Sequence, residues 1–174
     1  MTQQVAFLRA VNVGQRTCPM ATLKAIVEGL GYDDVFTYIN SGNVAFSTTT
    51  KAATVEKAIE AALLDRFGFE VETFVRTKAQ LAAVLAARPF DEPAGHTHMV
   101  TFFRSKATAA QVKELEALSN DTDLIVVDGR ELHWRIKGGV SDSTITPAMW
   151  RKVPVGPCTS RKTTALEKLL AKLD

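Results

Sequence analysis

The chain has 174 residues, 46% of them hydrophobic and 23% charged, with a formal net charge of +2. That is apolar material enough for a real core, so a disordered chain is excluded, and the charge is too small to announce a nucleic-acid binder. No stretch approaches the roughly 18 apolar residues of a membrane span, and Met1-Thr2-Gln3-Gln4 lacks the basic start of a secretory signal, so the expected location is the cytoplasm.

Val5 to Val11 is a β-rich apolar run without alternation, the pattern of a strand covered on both faces. Pro19 then opens a helix in which Met20, Leu23, Ile26, Val27 and Leu30 recur at helical spacing before Gly31. Val35 to Ile39 and Val44 to Phe46 flank the turn formers Asn40-Ser41-Gly42-Asn43 and read as a hairpin. A second amphipathic helix carries Val55, Ile59, Leu63 and Phe67 up to Gly68, and Val71 to Val75 is a closing strand. Strand, helix, strand, strand, helix, strand is the ferredoxin-like order of an antiparallel sheet with helices on one face.

Thr77 with Gln80 forms a capping box for a third helix that ends near Arg88-Pro89. Residues 1–88 are thus expected to form the first subdomain with its connecting helix, 89–98 a linker, and 99–174 the second subdomain. In that second half Met99 to Arg104 reads as a strand, and Thr108 with Gln111 caps a helix carrying Val112, Leu115 and Leu118. Asp128-Gly129 predicts a two-residue hairpin turn. After it, Leu132, Trp134 and Ile136 alternate with Glu131, His133, Arg135 and Lys137, which predicts a half-exposed strand. A last helix from about Thr163 carries Leu166, Leu169, Leu170 and Leu173. The expected fold is α+β, with two ferredoxin-like βαββαβ-type subdomains, the second incomplete because no fourth strand is recognisable, and with no residue-level identity between the halves.

In this topology the third strand lies between the first and second, so the end of strand one meets the start of strand three. Arg9, Asn12 and Gly14 are thereby expected beside Ser41, Gly42 and Asn43 at the start of the first helix. Backbone N–H groups, a guanidinium and amide side chains together suit a carboxylate or phosphate. The same glycines and asparagines also suit tight turns and nothing more.

Phe7-Leu8-Arg9-Ala10-Val11-Asn12-Val13-Gly14, Pro19-Met20 and Tyr38-Ile39-Asn40-Ser41-Gly42-Asn43-Val44-Ala45-Phe46 resemble the bacterial family called domain of unknown function 1697. The resemblance continues weakly through Arg88-Pro89-Phe90, Gly139-Val140-Ser141 and Thr159-Ser160-Arg161. It implies two ferredoxin-like α+β subdomains and no assigned activity. The family pattern has Gly-Ile where Ala10-Val11 stand and Asn-Trp where Lys162-Thr163 stand. Tyr38, within the best-matching run, and Arg161 and Thr164, which keep the C-terminal pattern, join the candidate ligand contacts. A plain N-cap is the expected role for Ser160.

Other constellations are thinner. Asn12-Val13-Gly14 is neither a Walker loop nor a dinucleotide fingerprint. His96-x-His98 offers two imidazoles with no third ligand at recognisable spacing, so no metal or cofactor is expected. Cys18 and Cys158 stand far apart with no second thiol near either and are expected to be reduced. Ser141-Asp142-Ser143 lacks the frame of a nucleophile elbow. Residues 135–174 hold eight Lys/Arg against three Asp/Glu, a basic tail that a solvated face explains. The leading functional reading is binding of a small anionic or phosphate-bearing ligand. RNA or DNA binding and an enzyme with a base from the second half are the alternatives, and the oligomeric state is unknown.

Overall fold

The computed structural model describes residues 1–173. The chain divides into two units, Met1–Ala83 with the C-terminal stretch from Leu169, and Val84–Lys168. No helix among the described residues is long and apolar enough to cross a membrane.

The first unit runs β1 (Thr2–Leu8), α1 (Met20–Gly29), β2 (Asp33–Tyr38), β3 (Asn43–Thr48), α2 (Ala52–Phe67), β4 (Thr73–Thr77) and the start of α3 (Lys78–Ala87). Its antiparallel sheet has the order β2-β3-β1-β4. Both faces are buried, as the unalternating first strand requires. Ala6, Leu8, Val44, Phe46 and Val75 pack with Leu23 and Val27 of α1 and with Val55, Ile59 and Leu63 of α2. On the opposite face Val5, Phe7, Phe74 and Arg76 are also buried. Gly68 closes α2 in the left-handed region at φ 73° and donates to the Leu64 carbonyl, the usual way of satisfying an end that lacks further turns. The Thr77–Gln80 capping box forms in both directions, at 3.0 and 3.1 Å.

The second unit contains β5 (His96–Phe103), α4 (Ala109–Glu116), β6 (Asp123–Asp128), β7 (Glu131–Lys137), a 3₁₀ turn (Val140–Asp142), α5 (Pro147–Arg151), β8 (Cys158–Lys162) and the start of α6 (Thr163–Ala171). Its sheet order, β6-β7-β5-β8, repeats that of the first unit. The unit is therefore complete: β8 is the missing fourth strand. Its sequence Cys-Thr-Ser-Arg-Lys hid it, because the residues it buries, Thr159 and Arg161, are polar. Ser160 lies inside β8 and is no N-cap. The segment expected as a linker contributes its last residues, His96 to His98, to β5.

The registers also correct the expectation of a purely architectural repeat. Val5 faces Arg76 across β1 and β4, and Val100 faces Arg161 across β5 and β8. With those pairs aligned, Phe7 corresponds to Phe102, Arg9 to Arg104, and Phe46 to Trp134. Three of these identities form a Val-x-Phe-x-Arg run that both halves share at one spacing, and the fourth, Arg76 with Arg161, emerges only from the strand pairing because its spacing differs.

The β6–β7 hairpin pairs Asp128 with Glu131, so its two loop residues are Gly129 and Arg130. Gly129 has φ 61° and Arg130 has no positive φ. A turn needing a left-handed residue only at its first position places the glycine there, and the turn falls one residue later along the chain than the expected Asp128-Gly129 turn. Leu132, Trp134 and Ile136 face the core as expected, yet His133 on the other side is also buried, at 2% exposure. The strand is not half exposed. Trp134 Nε1 donates to the buried Asp123 at 2.8 Å, and Ser143 Oγ and Thr144 N and Oγ1 donate to the same carboxylate. Burial raises the Asp123 pKa, but these four hydrogen bonds outweigh it and hold the carboxyl below its ordinary value. Ser143 and Asp142 thus have structural partners, Asp142 accepting from Gly139 N at 2.7 Å.

Gly42 is the position where the first unit tolerates least. It has φ 79°, and a Cβ there would collide with Val11 Cγ2 and stand 3.0 Å from Leu8 Cβ. Gly42→Ala should lower the unfolding free energy by about 2–4 kcal/mol, combining backbone strain with overpacking. Urea denaturation of the variant checks this, and an unchanged midpoint would refute it.

Candidate functional site

The β1–α1 loop and the β2–β3 turn meet as the topology demands. Leu8 N donates to Gly42 O at 2.8 Å, and Asn12 Nδ2 donates to Asn40 O at 2.9 Å. Asn12 also donates to Cys18 O at 3.0 Å and accepts from Cys18 N at 2.8 Å, so one amide ties the loop to the turn and to the residue before Pro19. Asn43 is buried, with Nδ2 bonded to Tyr38 O at 2.9 Å and Ser41 Oγ at 3.0 Å. Much of the amide chemistry read as ligand-facing therefore holds the two loops to each other.

The backbone of the loop is unusual. Ala10, Asn12 and Gly14 have φ of 53°, 56° and 58°, and Val11 and Val13 between them do not share the positive sign. Alternating handedness turns successive N–H groups toward one concave side, an arrangement that suits an anion. The N–H groups of Val13, Gly14 and Gln15 donate to no acceptor among the described residues. In the facing turn, Ile39 has φ 54°, a costly conformation for a β-branched residue. Asn12, Val13, Gly14, Ile39 and Ser41 are all exposed.

Arg9 follows the last residue of β1 and pairs with Glu72 at 3.0 Å, both side chains being partly exposed. Arg16, beside it in the loop, donates to Glu70 O at 2.9 Å and lies over the Phe69 ring. Tyr38 carries Lys172 Nζ 5.9 Å from its ring centroid. Cys18 is fully buried and its thiol pKa is raised by burial, which makes it a core thiol and no nucleophile. Neither cysteine forms a disulfide. Arg161 and Thr164 belong to the other unit. Arg161 is buried on β8, where its Nη1 donates to Thr159 Oγ1 at 2.8 Å and to Ser160 O at 2.9 Å, and burial lowers its pKa to about 10. Thr164 is exposed in the first turn of α6.

The second unit holds a cluster that the sequence reading missed. His98 on β5 contacts Glu92 Oε1 through Nδ1 at 2.6 Å and His133 Nδ1 on β7 through Nε2 at 3.1 Å. Phe90 stands edge-on to both rings, and Arg135 lies over Phe90. Along the chain the imidazole nearest to His98 is that of His96. The real partner is 35 residues away and becomes adjacent through the β5–β7 pairing. No group of three metal-ligating side chains is present among the described residues. Burial, reinforced by repulsion from His98 and opposed in part by Asp128 and Glu92, lowers the His133 pKa to about 4.

An acid limb of stability follows. The unfolded chain takes up the His133 proton near pH 6.5, whereas the folded chain resists until about pH 4. Stability is therefore full above about pH 6.5 and falls as the pH drops toward 4, by about 3 kcal/mol for this one group. His133→Gln should flatten that limb in urea titrations at pH 7, 5.5 and 4.5, and an unchanged slope would count against a neutral, buried His133.

Among curated proteins, none matches the chain. In solved structures, the conserved bacterial protein SP0830 from Streptococcus pneumoniae has the same fold, with TM-score 0.78, 23% identity, and coverage of 99% of this chain and 98% of that one. The family model described as protein of unknown function (DUF1697) matches residues 1–133, a span containing the loop, the hairpin turn, Glu92 and both histidines of the pair. Over that span, the greater part of its length, the chain belongs to the DUF1697 family.

Proposed function

We propose that the protein is a bacterial cytoplasmic binding protein for a small anion, such as a carboxylate or a phosphate-bearing molecule, seated at the β1–α1 loop against the β2–β3 turn. The observation that carries this reading is the alternating backbone from Ala10 to Gly14, where the N–H groups of Val13 and Gly14, and of Gln15 after them, have no acceptor among the described residues while that of Asn12 is bonded to Arg16 O. Arg9 supplies the charge at the mouth of the loop. Its exposed pair with Glu72 is worth at most about 1 kcal/mol, while a charge-assisted hydrogen bond to a ligand contributes about 1.5–3 kcal/mol. An arriving anion can thus draw the guanidinium away. Gly14, Tyr38, Ser41 and Gly42 shape the seat, and Asn12 and Asn43 hold its two halves in register.

Inorganic phosphate, titrated to tens of millimolar in a thermal-shift measurement, should raise the melting temperature of the parent chain. Arg9→Ala should stay folded, because it loses only a surface ion pair, and should weaken the phosphate response by roughly tenfold or more. An equal response in parent and variant would dismiss the arginine. No response in the parent would dismiss the site. Retention on heparin with a steep salt dependence would instead favour the nucleic-acid reading.

A further inference from the structure

The Glu92–His98–His133 chain is a second site, independent of the anion loop. We infer that it is a proton relay, open to solvent at Glu92 and ending at a general base, Nε2 of His133, on a ring that is otherwise buried. The direction of each hydrogen bond fixes the protons. A carboxylate only accepts, so His98 Nδ1 donates to Glu92 Oε1 across 2.6 Å. With His98 neutral, the state that the relay requires, its Nε2 is bare and accepts from His133 Nδ1–H across 3.1 Å. A neutral His133 is left with its lone pair on Nε2, an atom that makes no hydrogen bond among the described residues, on a ring that is 2% exposed.

The burial gradient gives the relay its sense. The Glu92 side chain is 31% exposed and that of His98 3% exposed, so the carboxylate meets water far more than the ring beside it does. A structural pair would need only one imidazole to satisfy one carboxylate. Here the second ring extends the chain inward from solvent. Other charged groups around it are Arg88, whose Nη1 lies 3.8 Å from Glu92 Oε2, Asp128 at the end of β6, Glu131 and Arg135 on the face of β7 shared with His133, and Arg161, opposite Val100 on the same face of the sheet. The substrate class is a small molecule with an ionisable O–H. Its O–H bond breaks as His133 Nε2 takes the proton, and the Nδ1 proton of His133 passes to His98 Nε2. The Nδ1 proton of His98 passes to Glu92, which releases it to water. One proton leaves the substrate, one reaches solvent, and no redox partner is required. His133 is the base, while His98 and Glu92 are positioning residues.

The chain has three histidines, so their tautomers can be read individually by long-range proton–nitrogen NMR of the full chain at pH 7.5. The expected result is Nδ1–H with bare Nε2 on both His98 and His133. A cationic His98 with His133 protonated on Nε2 would overturn the inference, because the terminal atom would then be a donor. Diethylpyrocarbonate, which acylates only an unprotonated imidazole nitrogen, is the second probe. Peptide mass spectrometry of the folded protein should find His133 modified alongside His96, with Glu92→Gln slowing the reaction at His133 by about tenfold through loss of the orienting charge and Glu92→Asp restoring most of it. Modification at His96 alone, in a chain that remains folded, would show that nothing reaches His133 and would equally overturn it.

Discussion

The geometry of the first unit depends on one backbone hydrogen bond, from Leu8 N–H at the end of the central strand to the carbonyl of Gly42 in the hairpin turn. It pins the exit of β1 against the turn between β2 and β3, and it can form only because Gly42 lacks a Cβ where Val11 and Leu8 approach. Once the strand end is fixed there, the chain must leave the sheet within a residue or two and still reach Pro19 to begin α1. Ala10, Asn12 and Gly14 take left-handed conformations to make that path. The cost of such conformations for non-glycine residues is about 1–3 kcal/mol each. Asn12 offsets part of it by three hydrogen bonds from a single side chain.

The same connectivity has been used twice, and the copies have diverged in a specific way. Each unit keeps an apolar row on its central strand, Val5 and Phe7 or Val100 and Phe102, and each keeps a buried arginine opposite the valine. The flanking strand differs. Where the first unit has Ala45 beside Val5, the second has His133 beside Val100. A small apolar residue demands no partner, but a buried imidazole does, and His98, itself held by Glu92, supplies one at Nδ1. The first unit keeps its distinctive polar groups at an exposed loop, and the second keeps them on a buried sheet face.

This division separates two kinds of chemistry. The loop offers N–H donors and a guanidinium with no group suited to proton transfer near neutral pH, which fits recognition of charge. The relay offers two imidazoles and a carboxylate, which fits movement of a proton. Asp123, by contrast, is a buried carboxylate with four donors and a lowered pKa. Full satisfaction makes it an anchor for Trp134 and for the segment after β7, and leaves it no capacity for a reactant.

The sequence by itself determined the local elements and their order: the helices with Leu23 and Val27 or Ile59 and Leu63 at helical spacing, the two capping boxes, and the inward face of Leu132, Trp134 and Ile136. Those follow from periodicity and turn chemistry, which act over a few residues. It also determined that the loop after β1, with Asn12, neighbours the Asn40–Asn43 turn, because the strand order alone imposes that meeting. Tertiary structure decided the rest. β8 shows no apolar alternation because its buried positions are Thr159 and Arg161, polar residues that become interior only when β5 is beside them. His133 reads as the wet side of a strand until pairing sets it against His98, 35 residues earlier, and excludes water from both. Whether a polar side chain is a solvated surface group or part of a buried relay depends on what the fold brings within 3 Å of it, and separation along the chain carries no record of that.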